Sequence, residues 1–199
     1  MLNTNYIFCQ VDSIIPNNND IYFKYVKELE SGQTNIDYKA FRESFINSNQ
    51  FKNPKNNIKE IPDLKKEIYL EIKKTNYNEV IKLAKQIISI DYTNMYGHKY
   101  LQKAYKKIGD TINYKKYHDI EFGLLNSIVK NGDGKTCETA WPVIQISEEY
   151  FILDMLNAEL IKQSIDNEGG LCDKMEVNTE KGKKTYYFEV SKVFGGYKR

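Results

Sequence analysis

The stretch YNEVIKLAKQIISIDYTN, residues 77–94, together with its continuation MYGHKYLQKAYKKIGD, residues 95–110, decides the architecture. Val80, Ala84, Ile87 and Ile88 recur at helical spacing in the first segment, and Tyr100, Leu101, Ala104, Tyr105 and Ile108 do so in the second. Only DYTN, residues 91–94, separates the two stripes, and a connection that short folds one helix back on the other. The pattern continues both ways. Upstream, Leu64, Ile68 and Ile72 recur every four residues; downstream, Tyr117, Ile120, Leu124 and Ile128 form a fourth stripe, in which Gly123 is a mild weakness. KTNY at 74–77 and IGDT at 108–111 are equally short links, so residues 63–130 are expected to be a run of antiparallel helical hairpins.

Residues 1–62 are expected to hold two short helices and a loop. In DIYFKYVKELES, residues 20–31, the apolar positions Ile21, Tyr25 and Leu29 are spaced by four, and Gly32 stops the helix. Asp37 is placed to cap a second helix whose Phe41 and Phe45 share a face. NSNQFKNPKNNIKEIPD then reads as a loop. After Asn131 the periodicity changes, and residues 131–199 read as a small antiparallel sheet carrying one helix. WPVIQIS is a strand candidate, and Ser147 is placed to cap a helix EEYFILDMLNAEL whose Glu148 and Glu149 suit its positive end. Met175 and Val177, then Tyr186, Phe188 and Val190, alternate with polar neighbours in two strands joined by EKGK, where Gly182 is available for a positive φ. The expected class is α+β.

Composition removes several functions. Lys and Arg total 29 against 27 Asp and Glu, a net charge of +2, which offers no basic footprint for nucleic acid. No run approaches the roughly 18 apolar residues of a membrane span. The opening MLNTNYIFCQVDSIIPNNND lacks the basic and apolar regions of a secretory leader, so a soluble cytoplasmic protein is expected, or an exported one if a leader precedes this chain. Cys9, Cys137 and Cys172 are odd in number and far apart, and read as free thiols in a reducing compartment.

The central segments resemble a tetratricopeptide (TPR) repeat. Val80, Ala84 and Ile87, the ending Ile90-Asp91-x-x-Asn94, and then Leu101, Tyr105 and Gly109 fall where that pattern wants them. His98 stands at its aromatic position, Gln102 at a small one and Tyr92 at its proline. With GDGKTCETAWPVIQISEEYFILDML, CDKMEVN and KKTYYFEV added, the chain resembles a bacterial family of unknown function, domain of unknown function 4919. That family brings no catalytic residue with it.

GDGKT in the C-terminal third invites a nucleotide-binding reading, which fails on spacing. Val129 sits where a phosphate-binding loop needs Gly, a helix precedes the loop, and Trp141-Pro142 follows it. His98 and His118 are the only histidines and neither has a Cys or carboxylate at ligand spacing, so no metal or cofactor is expected. A nucleophile, histidine and acid could still assemble across the fold. A reactive thiol at Cys137 or Cys172, near Trp141, keeps open an enzyme with its site between helices and sheet. An accessory protein that neutralises a toxin or serves the envelope is a further alternative.

The TPR resemblance points elsewhere. It places Tyr96, Lys99, Lys103 and Lys106 on the inner face of one helix, with Lys65 as their equivalent on the preceding one. The leading expectation is a non-catalytic adaptor that binds a protein or peptide, including an acidic one, along that face.

Overall fold

The computed structural model of the chain describes residues 20–53 and 57–197. The readings of the opening residues, Cys9 among them, lie outside the described residues. α1 (Ile21–Glu30), α2 (Tyr38–Asn47) and the single turn α3 (Asn49–Lys52) are followed by a 3-10 turn, Ile58–Glu60. Then come α4 (Ile61–Lys73), α5 (Tyr77–Ile90), α6 (Met95–Ile108) and α7 (Thr111–Val129). The remainder is β1 (Trp141–Pro142), α8 (Ile146–Met155), β2 (Glu159–Asp166), β3 (Cys172–Thr179), β4 (Gly182–Glu189) and α9 (Ser191–Tyr197). The fold is α+β.

The helices start where short polar side chains satisfy free N–H groups. Asp20, Asp37, Asn76, Asn94 and Asp110 each accept from a backbone N–H three residues on, and each such cap contributes about 1 kcal/mol. From α4 to α7 each helix packs on the next. Val80, Ala84, Ile87, Leu101, Ala104, Ile120, Leu124 and Ile128 are all fully buried, as the periodicity requires. α5 and α6 come close because Gly97 has no side chain: a Cβ there would lie 2.5 Å from Ile88 Cγ2. Gly123 has the same use. The ring of Tyr38 lies on its backbone, 2.2 Å from where a Cβ would stand, so this glycine admits a packing contact and is more than a weak point in a helix.

The sheet order is β1-β4-β3-β2. β2–β3 and β3–β4 are antiparallel, whereas β1 runs parallel to β4 with Trp141 opposite Phe188, so the sheet is mixed and not wholly antiparallel. Gly182 closes the β3–β4 turn at φ 94°. Met175, Val177, Phe188 and Val190 face a buried cluster that also holds Tyr22 of α1 and Ile128 of α7. One continuous core therefore joins the helices to the sheet.

Several local expectations are corrected. α1 buries Leu29 as expected, but its other buried positions are Tyr22, Phe23 and Val26, with Tyr25 half-buried and Ile21 exposed. The presumed loop before α4 contains α3, capped by Ser48, and the 3-10 turn. Of WPVIQIS only Trp141 and Pro142 join the sheet. α8 begins before Ser147, and its cap position, Gln145, makes no cap bond. The Gln145 amide instead donates to Asp91 and Thr93, which ties the α5–α6 turn to the start of α8. That helix ends at Met155, and Asn157 takes a left-handed φ of 49°, so Glu159 and Leu160 belong to a strand.

Cys137 and Cys172 form a disulfide, not two free thiols. Their sequence separation of 35 hid the pairing, which arises only when the loop after α7 folds onto β3. Glu148 and Glu149 are likewise not solvated carboxylates at a helix start; their residues are 3% and 0% exposed. Glu148 receives Arg42 through two bonds, Nε to Oε1 and Nη2 to Oε2, both 2.7 Å. Arg42 also donates to Ser127 Oγ of α7 and to the Pro142 carbonyl of β1.

One guanidinium thus joins α2, α7, β1 and α8. Replacing Arg42 by Met should cost about 3–5 kcal/mol in chemical denaturation, because Glu148 is left buried without its cation. The double variant Arg42→Met with Glu148→Leu should recover most of that loss. Equal losses in the two variants would show that the pair holds nothing beyond its packing.

Candidate functional site

The five residues singled out along the inner helical face lie in two clefts, not one. α8 touches α6 and borders both. The first cleft, about 600 Å³, lies among α4, α6 and α8 and contains Lys65 and Tyr96. The second, about 430 Å³, lies between α6 and α7 and contains Lys99, Lys103 and Lys106. Helical periodicity could place all five on one side of the hairpins. It could not show that a helix from the C-terminal third would lie beside them.

Tyr96 is nearly buried under α8. Its hydroxyl donates to Asp154 Oδ2 at 2.5 Å, its ring meets Phe151 edge-on, and the Lys65 ammonium sits 3.2 Å from the ring centroid. Burial and the acceptor Asp154 hold the Tyr96 phenol far above its ordinary range. The same burial, offset by Asp154 and reinforced by Lys99, lowers the Lys65 amine from its usual value.

The second cleft has a cationic wall. Lys99 reaches the Met155 sulfur and the Phe151 face, and Lys106 reaches the ring of Tyr114. Among the described residues none of Lys99, Lys103 and Lys106 makes an ion pair with a carboxylate. The opposite wall, from α7, presents Tyr114, His118 and Phe122, the last 62% exposed. At its base lies Glu121, whose carboxyl burial raises to about 7, against the pull of Lys99 and His118. Near neutrality this acid is therefore only partly charged.

The features that sequence reading offered to an enzyme all make structural contacts. Trp141 stacks on Tyr186, packs against Phe188 and donates from Nε1 to the Gly132 carbonyl. The two cysteines beside it are joined in the disulfide and offer no thiolate while it is closed. His98 is fully buried between the rings of Tyr92 and Tyr117. Its Nε2 donates to the Tyr92 carbonyl at 2.7 Å, and burial lowers its pKa to about 4. His118 sits on the open side of α7 between Tyr114 and Phe122. In the GDGKT loop Asp133 takes the cation and the donors: Lys135 pairs with it, and Lys135 N and Thr139 Oγ1 donate to it. These bonds push its carboxyl down to about 2. The loop is a closed joint between α7 and the sheet.

Sequence reading missed one chemically unusual group. Glu149 is wholly buried on the sheet side of α8, and its carboxyl meets that of Asp173 on β3. Burial first, then the charge of Asp173 and a hydrogen bond to it, raises the Glu149 carboxyl to about 9, so it carries a proton at neutral pH and donates to Asp173. Asp173 is held from the other side by Gln163 of β2. No motif marks this arrangement, because its members come from three elements.

The sign of the resulting pH dependence is fixed. Unfolding frees Glu149 to ionise in the ordinary carboxyl range, so the folded state holds more protons between there and about 9. Its contribution is full below that window and falls as pH rises through it. Denaturation midpoints of the native protein should decline with pH above neutrality, and Glu149→Gln should flatten that decline. An identical slope in the variant would contradict the protonated assignment.

No curated protein and no solved structure matches this chain. Residues 10–199 match the model of a family described as a domain of unknown function (DUF4919), and the chain belongs to that family.

Proposed function

We propose that the chain is a non-catalytic binding module that holds an acidic protein or peptide segment in the cleft between α6 and α7. The observation that carries this reading is the row of Lys99, Lys103 and Lys106, which lacks carboxylate partners among the described residues. Their spacing of four and three puts them on one helix face. Phe122 and Met155, both exposed, add apolar surface beside that charge. Cations beside an aromatic anchor suit a partner that carries Asp or Glu next to a large apolar side chain. The resemblance of α5 to the second helix of one TPR repeat and of α6 to the first helix of the next supports a binding role for α6, since first helices line the inner side in that pattern. Peptides of graded net charge, followed by fluorescence anisotropy, test this. Acidic apolar peptides should bind with affinity that falls as salt rises, and Lys99→Glu, Lys103→Glu and Lys106→Glu together should abolish binding without changing the melting temperature. Undiminished binding by the triple variant would remove the cleft from consideration.

The disulfide supports a second reading, of compartment. Buried disulfides persist in oxidising compartments and are rare in the reduced cytosol of most cells, so an exported, envelope-associated location is favoured over the cytoplasm. Rapid thiol alkylation of the protein in its native cells, followed by mass spectrometry, should find Cys137 and Cys172 unmodified until a reductant is added. Alkylation of both without reductant would place the protein in a reducing compartment.

A further inference from the structure

The cleft among α4, α6 and α8 is a separate cavity with different chemistry. Its walls are mainly apolar: Ile61 and Pro62 open α4, Tyr69 and Leu70 stand 58% and 52% exposed along it, and Tyr100 and Tyr150 close the other sides. Among the described residues no carboxylate lines it. Two lysines do, and they differ. Lys66 is paired with Asp63 at 2.8 Å, whereas Lys65 makes no ion pair or hydrogen bond among the described residues. Its ammonium rests on the face of Tyr96, and Asp154, whose charge acts on it from a distance, accepts the Tyr96 hydroxyl and makes no ion pair with it. An ammonium has three donors, and a ring face satisfies none of them as an oxygen would.

We infer that this cleft binds a small apolar monocarboxylate, its carboxylate on Lys65 and its hydrocarbon body against Tyr69, Leu70 and Tyr100. A volume of about 600 Å³ lies in the range of small-molecule sites. The charge count selects the class. One unpaired cation balances one negative charge, while a phosphate dianion would leave its second charge without a partner, since Lys66 is already bridged. The flat tyrosine walls give the hydrocarbon a surface with little to lose in solvation. This site does not depend on the peptide cleft between α6 and α7, and the two can fail separately.

Calorimetric titration with decanoate and with decanol tests it on the full chain. Decanoate should bind, and decanol, which has the same body without the charge, should bind at least about tenfold more weakly, because it forgoes a charge-assisted hydrogen bond. Lys65→Met should reduce decanoate to the level of decanol and leave decanol unchanged. Leu70→Asp, on an exposed position that does not threaten folding, should abolish both. Lys103→Glu, in the other cleft, should change neither. The inference is overturned if decanoate does not bind the native chain, if decanol binds as tightly, or if Lys65→Met retains decanoate. It is overturned equally if a peptide with a free apolar C-terminus occupies the cleft while decanoate does not.

Discussion

The buried pair of Arg42 and Glu148 is the constraint on which the arrangement of this protein turns. Two charges withdrawn from water are tolerable only when each is matched and its remaining hydrogen-bonding capacity is filled. Here the match is bidentate, and Ser127 and the Pro142 carbonyl take two further guanidinium N–H groups. Glu148 also accepts the N–H of Ile144, so the same carboxylate anchors the start of α8. A shift of α2, α7, β1 or α8 relative to the others would strand at least one of these groups. Apolar packing alone would tolerate small slippage among these elements; this set of bonds does not.

The consequence for function lies in α8. With its start held by Arg42, and with Gln145 bonded to Asp91 and Thr93, the helix is laid against α6 in one position. Phe151 and Asp154 then cover Tyr96, and Met155 reaches Lys99. The face of α6 is thereby divided. One side becomes a tyrosine-walled cavity in which Lys65 makes no ion pair among the described residues, the other a lysine-walled groove with an exposed phenylalanine. These surfaces differ in charge density, although one helix supplies residues to both.

Other buried polar groups follow a common logic of placement at joints between elements. Asp91, fully buried in the α5–α6 turn, is raised to about 6 by burial despite bonds from Thr93 and Gln145. Glu149 and Asp173 meet between α8 and the sheet. Tyr22 accepts the Tyr92 N–H and so fastens α1 to the same turn. The disulfide pins the loop after α7 to β3, closing a span of 35 residues, and a covalent loop of that length stabilises by about 4 kcal/mol in the chain-entropy account. Side-chain bonds and one covalent bond thus secure joints that the backbone ladders do not cover.

How much of this was legible in the sequence depended on range. Helices α4 to α7 were readable because their apolar stripes, Asn and Asp caps and short links act within a few residues, and local physics alone favours them. The β3–β4 hairpin was readable for the same reason, from alternation and Gly182. β2 was not, because a bulge between Leu160 and Lys162 breaks its period and Asn157 ends the preceding helix without a glycine signal. The lysine and tyrosine positions of the two clefts could be named from helical spacing, but their separation could not, since it depends on where α8 packs. The same holds for the Arg42–Glu148 pair, with partners 106 residues apart, and for the disulfide. Local pattern was enough to mark α4 to α7, the β3–β4 hairpin and their apolar faces. Which charges are paired and which thiols are joined came only with the folded arrangement, because those outcomes depend on distances between segments that no local pattern encodes.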